Sequence, residues 1–130
     1  MAKPKLVSET RIYTDIRLLI SEIIDVTPSF PRDYKYSIGS KLYELCIILA
    51  REVSAAYMNK DIDVRIYHLA EFQVAFETLR LLIRTAGERR WIRGVSRHAH
   101  IIQLIESIGK QSTAWKNSLA SVKEKSELQG

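Results

Sequence analysis

The chain has 130 residues, enough for one domain whose folding removes roughly two-thirds of the unfolded surface from water. Its single cysteine, Cys46, excludes an intramolecular disulfide, and the N-terminal residues lack the apolar run of a signal peptide or a transmembrane helix. We therefore expect a single domain over residues 1–130 in the cytoplasm, and the net charge of +5 favours an anionic partner.

A first helix is predicted from apolar residues that recur at helical spacing, with Ser8 placed to cap its N-terminus. Its inward stripe consists of Ile12, Ile16, Leu19, Ile20, Ile23 and Val26. Pro28 and Pro31 cannot lie inside a helix without loss of a backbone donor, so this helix must end by about Val26. The aromatic and basic segment that follows, Phe30 to Leu42, predicts a short, semi-rigid connection into the next helix.

The second helix is predicted to begin between residues 34 and 37 and to end near Met58, where a tight link leads to the third. The inward positions of the second helix are Ile38, Leu42, Leu45, Leu49, Val53 and Ala56. Asp61 or Asp63 suits the cap and first turn of the third helix, and Gly87 is expected to end it. The inward positions of the third helix are Ile62, Ile66, Leu69, either Phe72 or Gln73, Phe76, Leu79 and Ile83.

A fourth helix is predicted after residue 95, with Ser96 as its cap. Its apolar positions are Ile101, Ile105, Ile108, Trp115, Leu119 and Val122. Residues 1–7 and 124–130 are expected to be flexible tails. Because short links join antiparallel neighbours, the sequence predicts an all-α fold, an antiparallel up-down-up-down four-helix bundle.

The second and third helices carry more apolar residues than one core stripe requires. The excess lies in the runs Leu42–Ala50 and Leu79–Ile83. A helix that is apolar on two faces must bury the second face, and another subunit is the simplest place for it. We therefore expect self-association; the alternative is that a four-helix core needs wide stripes on its central helices.

Candidate catalytic and metal-binding groups are few. His98 and His100 are two residues apart and diverge on a helix, and His68 is isolated. Cys46 lies in an apolar run, which makes it a poor nucleophile. Bundles that bind two metal ions use Glu-x-x-His pairs, and this sequence has none. We therefore expect no enzymatic activity, no metal and no cofactor.

Basic residues are concentrated in two segments. The segment from residue 80 to residue 97 has one acid, Glu88, and six arginines: Arg80, Arg84, Arg89, Arg90, Arg93 and Arg97. Arg32 and Lys35 add charge in the connection between the first two helices. These eight residues are candidates for contact with phosphates or with a partner's carboxylates. The alternative is a solvated, basic face without a partner.

Aromatic residues accompany this charge. Trp91 lies among the arginines, where it either stacks on an unpaired base or closes the end of the bundle as a hydrophobic plug. Tyr34 and Tyr36 are expected to pack over the bundle mouth rather than to stack on bases.

Two short motifs lie in the first connection and on the third helix. The first is Pro31-Arg32, a spacer, and Tyr36-Ser37-Ile38-Gly39 followed by Lys41-Leu42; the second is Leu79-Arg80-Leu81-Leu82-Ile83-Arg84. Together they resemble the accessory variability determinant family of diversity-generating retroelements, and length, helix order and charge agree over nearly the whole chain. The wider four-helix family includes proteins encoded by intervening sequences in bacterial large-subunit ribosomal RNA genes, and the basic residues favour the retroelement branch.

The resemblance implies a non-enzymatic accessory protein. Such proteins assemble as a barrel-like homopentamer of four-helix protomers and bind the element's reverse transcriptase and its template RNA, which supports mutagenic complementary-DNA synthesis. By position, Arg80 and Arg84 carry over as contact residues, and Pro31, Arg32 and Gly39 carry over in structural or basic roles. The assignment of the arginines from residue 89 onward as contact residues is based on local charge alone. The alternative is an intervening-sequence-type protein that acts as a structural or protein-interaction module.

Overall fold

The computed structural model describes residues 6–129, so residues 1–5 of the expected N-terminal tail and residue 130 lie outside the described part. The helices are α1 (Arg11–Val26), α2 (Arg32–Lys35), α3 (Ile38–Met58), α4 (Ile62–Glu88) and α5 (Val95–Gln129). Residues 6–129 contain no strand. Four long helices and the single turn of α2 confirm the all-α prediction.

The four long helices run antiparallel to their neighbours. On the α1–α5 side, Arg97 lies near Glu22 while Gln111, further along α5, lies near Asp15 at the other end of α1. The α3–α4 pair is reversed in the same way. Packing of α3 between α1 and α4, with α5 closing the bundle against α4 and α1, gives the predicted up-down-up-down arrangement.

The predicted stripes form the core with few exceptions. On α4 the inward position is Phe72, which is fully buried, whereas Gln73 is only half-buried. On α5 the prediction for Val122 is wrong, because this side chain is 46% exposed. Leu119 is the last buried residue of α5 within the described residues, in a small second cluster with Ala56 and Leu69, and Val122 lies beyond the end of that cluster.

The structure confirms one of the three predicted helix N-caps and contradicts the other two. Asp61 caps α4 as predicted, and its carboxylate accepts from the backbone N–H groups of Asp63 at 2.8 Å and Val64 at 3.3 Å. The predicted Ser8 cap of α1 is wrong, since Thr10 holds that position and Ser8 lies in a preceding 3-10 turn. The predicted Ser96 cap is also wrong, because α5 has already begun at Val95.

The connection from α1 to α3 contains more structure than a linker. A 3-10 turn over Thr27–Ser29 and the single turn of α2 lead into α3, which begins at Ile38 rather than between residues 34 and 37. Gly39 is buried against the end of α1, where a Cβ atom would overlap the methyl group of Thr27. This contact gives Gly39 a structural role, as the resemblance implies.

The C-terminal part of α5 continues through the segment expected to be a tail. Residues 124–129 are helical, and all six are exposed. None of the helices within residues 6–129 combines the length and apolarity needed to cross a membrane.

Candidate nucleic-acid and partner interface

The connection from α4 to α5 reverses the chain and exposes consecutive arginines. Gly87 does not end α4 as predicted, because the helix runs on to Glu88 and Gly87 instead allows His98 to approach. The end is a Schellman motif, in which the Arg90 N–H donates to the Gly87 carbonyl at 3.0 Å and the Trp91 N–H donates to the Ala86 carbonyl at 2.9 Å. Arg90 has a φ of 60°, in the left-handed region that this motif requires.

Trp91 closes this end of the bundle. Its ring lies 4.9 Å from the ring of Tyr34 in a stacked arrangement and 5.5 Å from the ring of Phe30. The Ser29 hydroxyl donates to the Trp91 carbonyl at 2.7 Å. The geometry therefore favours the plug interpretation over a free stacking platform for bases. Tyr34 packs over the mouth as predicted, whereas the prediction for Tyr36 is wrong because 77% of it is exposed.

This aromatic packing brings the two basic segments to one end of the bundle. We call the five cations that flank the packing the basic end: Arg32, Lys35, Arg89, Arg90 and Arg93. The four arginines are exposed and Lys35 is half-buried. Within residues 6–129 none of the five makes an ion pair or a side-chain hydrogen bond. Asp33 and Glu88 are the acids in the same segments, so positive charge is in excess.

Arg97 is paired with acids, unlike the five cations of the basic end. Its guanidinium lies 3.2 Å from the carboxylates of both Glu22 and Asp25 on α1. His100 approaches the other oxygen of Glu22 at 3.3 Å. The charge of Arg97 is therefore compensated within the protomer, and its contacts tie α5 to α1.

Arg80 and Arg84 lie on the face of α4 that borders α5. Four residues separate them, which is about 6 Å along the helix axis. The Arg80 guanidinium pairs with Glu77 at 3.1 Å and lies 5.8 Å from the centre of the Phe76 ring. Arg84 is exposed and makes no ion pair within residues 6–129.

A groove between α4 and α5 surrounds these two arginines. We call it the α4–α5 groove, and it has two adjoining parts that share Arg80, Ile105 and Glu106. The large apolar residues along it are Phe76, Ile83, Ile102 and Ile105, and the acids along it are Glu77, Glu88 and Glu106. Mixed charge over apolar side chains is typical of protein–protein contact surfaces rather than of phosphate tracks.

Sequence reasoning missed the acids of the groove. Glu77 precedes Arg80 by three residues, a spacing that brings side chains together on a helix and was visible in the sequence. Glu106 joins them only through the packing of α5 on α4, so no local pattern could reveal it.

The groups considered for catalysis are arranged as structural residues. Burial raises the pKa of the Cys46 thiol to about 12, so the thiolate nucleophile is disfavoured at neutral pH. The His68 ring nitrogen lies 2.7 Å from the Glu52 carboxylate, which joins α4 to α3. Residues 6–129 contain no group of three or more His, Cys, Asp or Glu side chains able to hold a metal ion.

The fold and the distribution of charge define a four-helix bundle protein with a basic end and a separate arginine-lined groove. Its family is shown by a family-model match over residues 6–119: the chain belongs to the bAvd-like family. The resemblance read from the two short motifs is thereby confirmed, and the family is of an accessory, non-catalytic kind. No curated protein matches the chain.

Proposed function

We propose that the protein is the accessory scaffold of a diversity-generating retroelement, binding the element's reverse transcriptase and template RNA to support mutagenic complementary-DNA synthesis in the cytoplasm. The observation that carries the proposal is the bAvd-like match, which spans all four long helices to residue 119. The chemistry of copying belongs to the polymerase partner, and the scaffold supplies surfaces that hold the polymerase and the RNA together.

The basic end is the surface that suits the RNA. Phosphates displace counterions when cations meet them, so cations without intramolecular acids contribute most to such binding. None of the five cations of the basic end pairs with an acid within residues 6–129. The basic end therefore attracts a polyanion along its whole width.

The α4–α5 groove is the surface that suits the polymerase. Arg80 and Arg84 border apolar side chains and carboxylates there, and a protein partner can satisfy both kinds of group. Arginine is well suited to this position because its planar fork pairs with a partner's carboxylates in two hydrogen bonds.

Self-association completes the proposed scaffold. Tyr67, Val74 and Leu81 follow each other at seven-residue spacing on α4 and are 59%, 70% and 61% exposed. We call this row the outer seam of α4. A homopentamer would bury the seam between protomers and would present five copies of the basic end, which strengthens binding through multivalency.

The polymerase-binding part of the proposal is tested with the double variant Arg80→Ala/Arg84→Ala. Both positions are exposed, so the change should alter the free energy of unfolding by less than about 0.5 kcal/mol per site. We expect capture of the purified reverse transcriptase to fall at least about tenfold, as for the loss of two contact arginines.

The matched control removes two exposed arginines elsewhere, Arg17→Ala/Arg51→Ala, with the same change in net charge. This control should capture the polymerase like the unaltered protein. Equal capture by the Arg80→Ala/Arg84→Ala variant, shown to be folded by circular dichroism, would contradict the groove assignment. Failure of the unaltered protein to bind either polymerase or template RNA would instead support a structural module of the intervening-sequence type.

A further inference from the structure

Arg90 is a non-glycine residue in a conformation that favours glycine. Its φ of 60° places it in the left-handed region, where the Cβ atom of any L-residue crowds the following carbonyl. The position is C′ of the Schellman motif, which is most often glycine because glycine avoids this crowding. The chain therefore carries a local conformational cost at this point that a glycine would remove.

Nothing within the described fold offsets that cost. The Arg90 side chain is exposed, and within residues 6–129 it makes no ion pair, side-chain hydrogen bond or ring contact. The two hydrogen bonds that close the motif use only backbone atoms and would form equally well with glycine. An uncompensated backbone outlier points to a role for the side chain outside the fold.

The surroundings of Arg90 define the chemistry of its contact. Arg89 and Arg93 lie on the same connection, and α2 brings Arg32 and Lys35 to the same end of the bundle. The ring of the neighbouring Trp91 is already packed on Tyr34 and Phe30, so Trp91 itself is not free to stack on a base. Five cations that no carboxylate within residues 6–129 pairs with suit a row of phosphates, because each can replace a counterion there.

We propose that Arg90 is a phosphate-contacting residue of a single-stranded RNA surface formed by the basic end, and that the left-handed backbone is retained because it presents this cation. The inference rests on the proposed function, since it assigns the RNA to one surface and names a residue that holds it. The RNA is thus assigned to the basic end, and the α4–α5 groove is left to the polymerase.

The test compares Arg90→Gly with Arg90→Lys and with Lys60→Gly. Lys60 is an exposed residue in the connection between α3 and α4, at the opposite end of the bundle, and its replacement removes the same charge. The probe is a fluorescently labelled, unstructured oligouridylate, titrated at several salt concentrations. Thermal unfolding of each variant is followed by circular dichroism.

We expect Arg90→Gly to be more heat-stable than the unaltered protein, with a midpoint raised by about 3 °C or more. The same variant should bind the probe about fivefold more weakly near 0.1 M salt, and the slope of log affinity against log salt should fall by about 0.7, the loss of one phosphate contact to a single strand. Arg90→Lys should keep the slope, because it keeps the charge. Lys60→Gly should keep both the affinity and the slope.

An Arg90→Gly variant that binds the probe with unchanged affinity and slope would overturn the inference. The inference is likewise overturned if Lys60→Gly loses as much affinity, because the effect would then be one of net charge alone, or if Arg90→Gly is less stable, because the backbone argument would fail. Loss of reverse transcriptase binding with unchanged RNA binding would assign Arg90 to a protein partner instead. The proposed function fails separately, if the unaltered protein binds neither the probe nor template RNA in a salt-dependent manner.

Discussion

Gly39 shows how one residue sets the approach of two helices. It lies at the start of α3, and the nearest side-chain atom to a Cβ built there is the methyl carbon of Thr27. Thr27 cannot turn away freely, because its hydroxyl donates to the Ile23 carbonyl at 2.6 Å and its β-branched side chain is restricted at χ1. The end of α1 can therefore pack this closely against the start of α3 only because residue 39 has no Cβ atom.

We predict that Gly39→Ala lowers the free energy of unfolding by about 1–3 kcal/mol, the usual cost of overpacking a buried contact. In a Thr27→Ser background the same change should cost little or increase stability, because the obstructing methyl is gone and alanine is the better helix former. Thr27→Ser keeps the hydroxyl, so the hydrogen bond to Ile23 is preserved. Urea unfolding of the four proteins of this cycle measures the coupling.

The Gly39 cycle has a clear opposing outcome. Equal effects of Gly39→Ala in the two backgrounds would mean that the Thr27 methyl is not the obstacle. The result would then place the role of Gly39 in its own backbone rather than in helix contact.

At the scale of elements, the single turn of α2 depends on its aromatic contacts. Four residues cannot form a stable helix alone, because nucleation is unfavourable and few intrahelical hydrogen bonds are gained. Tyr34 within α2 stacks on Trp91, and Phe30 just before α2 packs on the same ring. The position of Arg32 and Lys35 beside the α4–α5 connection therefore depends on Trp91.

We predict that Trp91→Ala releases α2 from the bundle while the four long helices stay formed. Loss of the partly buried ring should cost about 2–4 kcal/mol, below the full range for a fully buried tryptophan. Limited digestion with trypsin should then cleave after Arg32 and Lys35 faster than in the unaltered protein. Trp91→Phe keeps an aromatic ring and should stay close to the unaltered rate, with Trp115 as the remaining tryptophan for fluorescence.

Unchanged cleavage of Trp91→Ala at these two sites would show that α2 is held by other contacts. A general rise in cleavage over all helices would show global unfolding instead of local release. The ratio of cleavage at Lys35 to cleavage at Arg51, in the middle of α3, separates the two cases.

Most of the fold was predictable because its core follows a helical period. The stripes on α1, α3 and α4 could be read directly, and Asp61 was recognisable as a cap because carboxylates suit that position. The ends of helices were less predictable. Gly87 resembles a terminating residue but serves a close approach by His98, and Thr10 rather than Ser8 caps α1.

The candidate site was predictable in its charge but not in its arrangement. Six arginines in one segment are visible in the sequence, yet Arg97 pairs with Glu22 across 75 residues of chain, which no local pattern indicates. The left-handed backbone at Arg90 could not be predicted from the sequence either, because arginine is not a residue that indicates this conformation. Tertiary packing therefore decides which of the eight basic residues are free to act.

At the scale of the whole molecule, α4 carries parts of three separate surfaces. The outer seam lies on its exposed side, Arg80 and Arg84 border α5, and Arg89 follows its last turn into the basic end. Successive residues on a helix are about 100° apart, so Arg80 and Leu81 address different directions although they are adjacent. Under the proposed function, α4 would therefore present different sides to another protomer, to the polymerase and to the RNA.

The outer seam gives the prediction that bears on the whole assembly. Light scattering of the unaltered protein should give a mass near five times the protomer's 15.0 kDa, and Leu81→Glu should give the protomer mass, because a charge within an apolar contact loses its hydration. Leu128→Glu adds the same charge at a side chain that is 82% exposed near the end of α5, and it should assemble normally. Circular dichroism should report a folded bundle for both variants, since neither site is in the core. A Leu81→Glu protein that keeps its full mass would exclude the seam as the subunit contact. Protomer mass for the unaltered protein would exclude the pentamer. Binding of RNA would in that case depend on a single copy of the basic end.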